Sequence, residues 1–307
     1  MPSSLSFSKI FKAFKEARDG GQGLPRLCIV GTGPEHTRVV DFLSAGADEA
    51  RGGARVVLDA VQPADFARPP RTSDPWDIAV FVTAGSSPAD MAPLLKMARN
   101  RGYGVIVLLE GQGAATWAGP ARVAEDEIAR GYGGDGCRPT LESRIVHAAD
   151  HAAGALAAHL PAIRRAYCDH VILTNAKQNG VIGAVVIIPG ADMPAMTANQ
   201  IRMVLQIAAA HREEVGVDRA VEILSVVGSA FAFRALARQA LSFVPGFGWA
   251  LKGAVGFSAT MALGRATIAY FDAGAPLQVS HMKRIDHQVE RVRTRLPGFV
   301  QRRMAAK

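Results

Sequence analysis

The sequence predicts an α/β plus all-α chain: a parallel sheet with helices, followed by a helical domain rich in alanine and glycine. Between residues 25 and 136, short continuous aliphatic runs alternate with helical patterns. That is the mark of strands covered on both faces and joined by right-handed crossovers. After Pro139 the apolar stretches lengthen to helical size, punctuated by Gly and Pro. The 307 residues suffice for two cores, and 49% apolar against 20% charged residues excludes a disordered class for most of the chain.

Taken in order, residues 1–24 open with Phe7, Ile10, Phe11 and Phe14 at helical spacing, while Lys9, Lys12 and Lys15 project elsewhere. This predicts a basic amphipathic helix that either lies on a membrane surface or covers an edge of its own domain. Residues 25–139 form the α/β domain, with strands over 27–31, 54–61, 77–83 and 104–109 and helices over 35–43 and 88–100. Residues 110–139 read as a loop, a short helix and a linker. In the helical domain, 140–275, a helical pattern over 141–167 is interrupted by Pro161. Residues 181–188 suit a helix or a strand, and helices follow over 196–210, 221–239 and 249–271. Asp192 with Pro194 suits a helix start, and Asp218 a cap. A basic C-terminal helix, 276–307, carries Met282, Ile285, Val289, Val292 and Leu296 as a short heptad seam, packed on the chain itself or on a partner helix.

The net charge of +8 gathers at the two ends, with Lys283, Arg284, Arg291, Arg293, Arg295, Arg302, Arg303 and Lys307 in the last segment. Basic ends suit an anionic surface or simply a solvated face. Only Phe299 stands among the charges after Leu296, so a stacking platform for nucleic acid is not expected. Cys28, Cys137 and Cys168 are odd in number and widely spaced, which favours a reducing cytosolic setting. No apolar core of signal-peptide length opens the chain, so secretion is not expected. The stretch 240–264 has one charge, Lys252, but Pro245-Gly246 divides it. Transmembrane insertion, peripheral attachment and a soluble bundle all remain open for it. The residues expected at lipid are Phe7, Lys9, Ile10, Phe11, Lys12, Phe14, Lys15, Phe243, Phe247, Trp249 and Lys252.

The loop after the first strand has the outline of a phosphate-binding loop but not its working residues. Starting from Gly31, a Walker loop needs glycine, lysine and a hydroxyl residue at positions occupied by His36, Thr37 and Arg38. Gly31-Thr32-Gly33 also begins like a dinucleotide fingerprint, without its third glycine. The amides of the following helix could hold an anion, a role that Glu35 opposes by placing negative charge in the first turn. A structural turn is the alternative reading.

The second half resembles the YcjF-related family, a bacterial domain of unknown function often found behind Era-like GTPase domains. The resemblance rests on Thr174-Asn175-Ala176-Lys177-Gln178-Asn179-Gly180 and Ile187-Ile188-Pro189-Gly190-Ala191-Asp192. It continues through Gln200-Ile201-Arg202-Met203-Val204, Val244-Pro245-Gly246-Phe247-Gly248 and Leu263-Gly264-Arg265-Ala266 with Tyr270-Phe271. It implies a helical domain, frequent membrane association and no catalytic residues. The first half resembles the accompanying GTPase domain, eroded. Asp59 stands where a magnesium-linked aspartate belongs, but Ala60-Val61-Gln62 follows instead of two residues and a glycine. Glu110-Gly111-Gln112-Gly113 replaces the guanine-reading motif. What remains is a vestigial nucleotide loop of Gly31, Thr32, Gly33, Thr37 and Asp59, with no catalytic residue and no cofactor.

Other chemistry is sparse. His147, Asp150 and His151 fall on one predicted helix, but two histidines lack the third and fourth ligands of a structural metal site, so no metal is expected. His159 and His170 stand alone. The helical setting of Lys252, with no strand before it, argues against a second phosphate loop. The expectation is a non-catalytic pseudo-GTPase scaffold or adaptor on the cytoplasmic side of the cell membrane, peripheral or integral. Its partners would be anionic lipid and a protein or second copy, with no nucleic acid. The alternative is a divergent nucleotide-binding, GTPase-like switch.

Overall fold

The computed structural model describes residues 26–47, 58–68, 76–84, 86–109, 117, 121–133, 139–185, 193–213, 223 and 248–273. The N-terminal helix, residues 54–57 of the second strand, Asp192, Asp218, the helix over 221–239 apart from Ile223, and the C-terminal helix lie outside them. The chain divides into two compact units, Met1–Thr267 and Ile268–Lys307. In the second, the described residues are the end of one helix, where Tyr270 and Phe271 meet edge to face at 5.0 Å.

Five parallel strands form one sheet in the order β2-β1-β3-β4-β5: β1 Leu27–Val30, β2 Leu58–Val61, β3 Ile78–Val82, β4 Gly104–Leu108 and β5 Ile128–Ala129. β1, β3 and all of β4 but its first residue are fully buried, as continuous aliphatic runs require. Helix α1, Gly33–Ser44, follows β1; a single turn, α2, Pro63–Phe66, follows β2; and α3, Pro88–Asn100, follows β3. Ser87 caps α3, its hydroxyl accepting from Asp90 N at 3.2 Å.

Alternation along the strands sorts the core into two faces. Cys28, Val30, Ala79, Phe81, Val105 and Val107 share one cluster with Met91, Leu95 and Ala98 of α3 and with Phe66 of α2. Phe66 stacks on Trp76 at 5.7 Å and meets Phe81 edge-on at 5.4 Å. The intervening residues, Leu27, Ile29, Ile78, Val80, Val82, Ile106 and Leu108, serve the other face. Helix α4, Leu141–Ala149, packs against β3, β4 and β5. A helix covering the sheet therefore begins beyond the 139/140 boundary read from the sequence.

Strand β5 was not foreseen in the 110–139 stretch. Its two residues are held by side chains more than by ladder length. Arg99 grips Glu127 through Nε at 3.1 Å and Nη2 at 2.6 Å, and Arg144 Nε donates to Ile128 O at 2.8 Å.

Helices α5, Ala153–His159, and α6, Pro161–Val185, confirm the break at Pro161. Residues 181–185 end α6 as helix rather than strand. Helix α7, Met193–Ala210, and helix α8, Gly248–Asp272, complete the described bundle. Helix α6 packs on α1, α4, α5 and α7, so the sheet and the bundle meet through a shared helical layer.

Between α6, α7 and α8 lies a connected polar seam. Asn179 and Thr260, both wholly buried, are joined by an Nδ2-to-Oγ1 bond of 2.8 Å. Asn199 Nδ2 donates to Asn179 Oδ1 at 3.0 Å, and Thr260 Oγ1 donates to Gly256 O at 2.8 Å. The backbones close in where side chains are missing: a Cβ on Gly256 would stand 2.8 Å from Asn179 O, and one on Gly253 would stand 2.9 Å from Gly180 O. No helix among the described residues is long and apolar enough to cross a membrane.

Candidate functional site

In an open parallel sheet, ligands bind outside the carboxyl ends of the strands where the order reverses. Here β1 connects outward to β2, and β3 lies on its other side, so the crevice belongs between β1 and β3. The β1–α1 loop stands there, and its own side chains fill it.

Gly31 N donates to Val61 O at 3.1 Å, extending the β1–β2 ladder into the loop. Thr32 is extended at φ −142° and its side chain makes no capping bond; Gly33 takes φ +79°, a conformation that suits glycine. The His36 ring then folds back over the loop. Its Nε2 donates to Ile29 O at 3.0 Å, and its Cδ2 would lie 3.1 Å from a Cβ on Gly31. The His36 side chain thus packs against Gly31 at the position where a Walker loop would carry its second glycine. Thr37 Oγ1 donates to Gly33 O at 3.4 Å, one turn back along its own helix.

Glu35 fills the other half of the crevice. It is 5% exposed, in the first turn of α1, where the helix dipole favours negative charge. Tyr132 OH donates to its Oε1 at 2.8 Å, across 97 positions of sequence. Arg38 Nη2 lies 2.8 Å from Oε2, as an ion pair without the alignment of a hydrogen bond. Tyr132 in turn rests on Phe42 at 5.0 Å, and the neighbouring Gly133 N donates to the buried Glu142. Two carboxylates, from α1 and α4, therefore pin the loop after β5. Glu35, Arg38, Tyr132, Gly131, Val82, Leu108 and Leu109 line what space remains, a cleft of about 220 Å³. Sites for drug-sized ligands run from about 300 to 1,000 Å³.

Asp59 is not gathered into this crevice. It pairs with Cys28, two residues short of the strand end. Its Oδ2 accepts from Trp76 Nε1 at 2.6 Å and from Arg26 Nη2 at 3.2 Å. Arg26 and Trp76 both precede their strands, so the carboxylate serves the opposite end of the sheet. Burial first, and the Asp59 charge second, push the Cys28 thiol above its ordinary range.

Of the five residues expected in a vestigial nucleotide loop, Gly31, Thr32, Gly33 and Thr37 are thus together and Asp59 is apart. Tyr132, Glu142, Arg26 and Trp76 were missed, because no spacing rule links residues so distant in sequence. Residues 110–113, where a guanine-reading motif was looked for in the sequence, lie outside the described residues. So do Phe7, Lys9, Ile10, Phe11, Lys12, Phe14, Lys15, Phe243 and Phe247. Trp249 and Lys252 belong to α8, but their side chains are not described.

The histidine pair predicted on one helix is separated. Asp150 adopts φ 45° and ends α4, leaving His151 95% exposed on the next turn. His147 instead meets His170 of α6 edge to face at 4.9 Å. Burial, then His147 and Lys177, lower the His170 pKa. No group of three metal-ligating side chains occurs among the described residues.

Compared with known protein families, curated proteins and solved structures, the chain has no match.

Proposed function

We propose that the protein is a non-catalytic scaffold: a pseudo-GTPase α/β module joined to a helical module related to the YcjF-related family. The observation that carries this is the β1–α1 loop, whose hollow holds the His36 ring and whose first helical turn holds the Glu35 carboxylate. A triphosphate there would meet a buried negative charge without lysine to offset it. The bundle would supply a second surface, and the basic ends of the chain attraction to anionic lipid at the cytoplasmic face.

A thermal-shift panel of GTP, GDP and ATP with magnesium tests the nucleotide part. A ligand that binds the native state raises Tm, and no nucleotide is expected to do so. Flotation with anionic liposomes at low salt tests the membrane part, and recovery of the protein with the lipid is expected. The alternative, a divergent nucleotide-binding switch, has in its favour a cleft at the sheet's ligand-binding edge. Against it stand the cleft's volume of about 220 Å³ and the Glu35 charge.

A further inference from the structure

We propose that the crevice between Glu35 and Leu108 is inverted in sign relative to a phosphate site and receives a guanidinium group carried on an aliphatic stem. This rests on the reading that the site holds no nucleotide, and it names the chemistry that the site takes instead. The Glu35 side chain is 6% exposed, yet its Oε2 receives no aligned hydrogen bond. A carboxylate has roughly four acceptor positions, and the described partners here are Tyr132 OH on Oε1 and the Arg38 ion pair on Oε2. A buried carboxylate with acceptor capacity left over lines a concave cleft.

The occupant that Glu35 has now is a weak one. Arg38 is 63% exposed, three residues along the same helix, so its head stays in water while the carboxylate it pairs with is buried, and holding so long and mobile a side chain in one place costs rotamer entropy. It stands as an internal substitute for an incoming cation. The cleft lining includes aliphatic Val82, Leu108 and Leu109, and a methylene stem buries favourably against such a surface. The volume suits one long side chain or a small amine. A guanidinium fits better than an ammonium, because its planar fork matches a carboxylate and is more weakly hydrated. Phosphate is repelled by the same carboxylate.

Isothermal titration of the full chain tests this with agmatine, N-acetyl-arginine amide, methylguanidinium and inorganic phosphate as probes. Agmatine and the arginine amide both carry the proposed chemistry, and the tighter of the two tells a free amine from a peptide-borne arginine. One-to-one binding is expected at millimolar concentration or tighter, with methylguanidinium at least about tenfold weaker for want of a stem and phosphate silent. Glu35→Gln should weaken binding at least about tenfold, and Arg38→Ala should tighten it severalfold by removing the competitor. A purely structural Glu35 would not produce tightening in Arg38→Ala, which keeps the test sharp even if Glu35→Gln folds poorly. Absence of saturable binding by either stemmed probe, or an Arg38→Ala chain that binds no tighter than the parent, overturns the proposal. Binding of magnesium-GTP in a parallel titration would overturn the non-nucleotide reading instead, whatever agmatine does.

Discussion

Asp59 shows how a residue in a suggestive sequence position can serve structure. Its carboxylate accepts from Trp76 and Arg26, whose side chain is only 16% exposed. Asp59→Ala would leave both donors without this acceptor, and the expected cost is about 1–3 kcal/mol, read as a lower urea midpoint at unchanged m-value. An unchanged midpoint would show that the pair contributes nothing. Cys28 and Tyr167 yield a pH dependence. Burial raises both, Tyr167 to about 12. Each acid is harder to ionise folded than unfolded, so the native chain holds more protons at alkaline pH. Their contribution is complete below about pH 8.5, where an unfolded thiol titrates, and is lost as pH rises. Urea midpoints at pH 7.5 and 10 should differ, and Cys28→Ala should flatten the fall; equal midpoints in the parent chain would contradict it.

At the scale of elements, continuous aliphatic runs made β1, β3 and β4 legible, because strands buried on both faces carry nothing else. Helix α3 spans the residues that the sequence predicts, Pro88 to Asn100, and the structure shows Ser87 capping its start. β5 was not legible: a strand of two residues has no periodicity, and its supports, Arg99 and Arg144, lie outside it. Val181 and Ile182 also allowed a strand, yet the end of α6 stays helical beside the polar seam at Asn179 and Gly180. That seam was invisible in sequence, where Asn179, Asn199 and Thr260 are merely polar residues in apolar helices. Asn179→Ala is expected to cost about 1–3 kcal/mol, because it removes the acceptor at 3.0 Å from Asn199 Nδ2 and the donor at 2.8 Å from Thr260 Oγ1. Combined with Thr260→Ala, it should show a coupling of about 0.5–3 kcal/mol in a double-mutant cycle; strict additivity would deny the network. Gly256→Ala should destabilise by about 1–3 kcal/mol: the methyl would meet Met196 Cε at 2.6 Å, which can move, and Asn179 O at 2.8 Å, which is backbone and cannot turn aside.

For the molecule as a whole, the candidate site was half legible. The missing lysine and glycine are sequence facts; what took their place is not, because Tyr132 reaches Glu35 from 97 positions away. His36 and Glu35 together close the loop at the edge where a nucleotide would sit. Equilibrium dialysis of labelled GTP with magnesium against the full chain measures this directly. No saturable binding is expected up to about 1 mM; a dissociation constant in the micromolar range or below, with release of phosphate, would show that the loop is open to nucleotide.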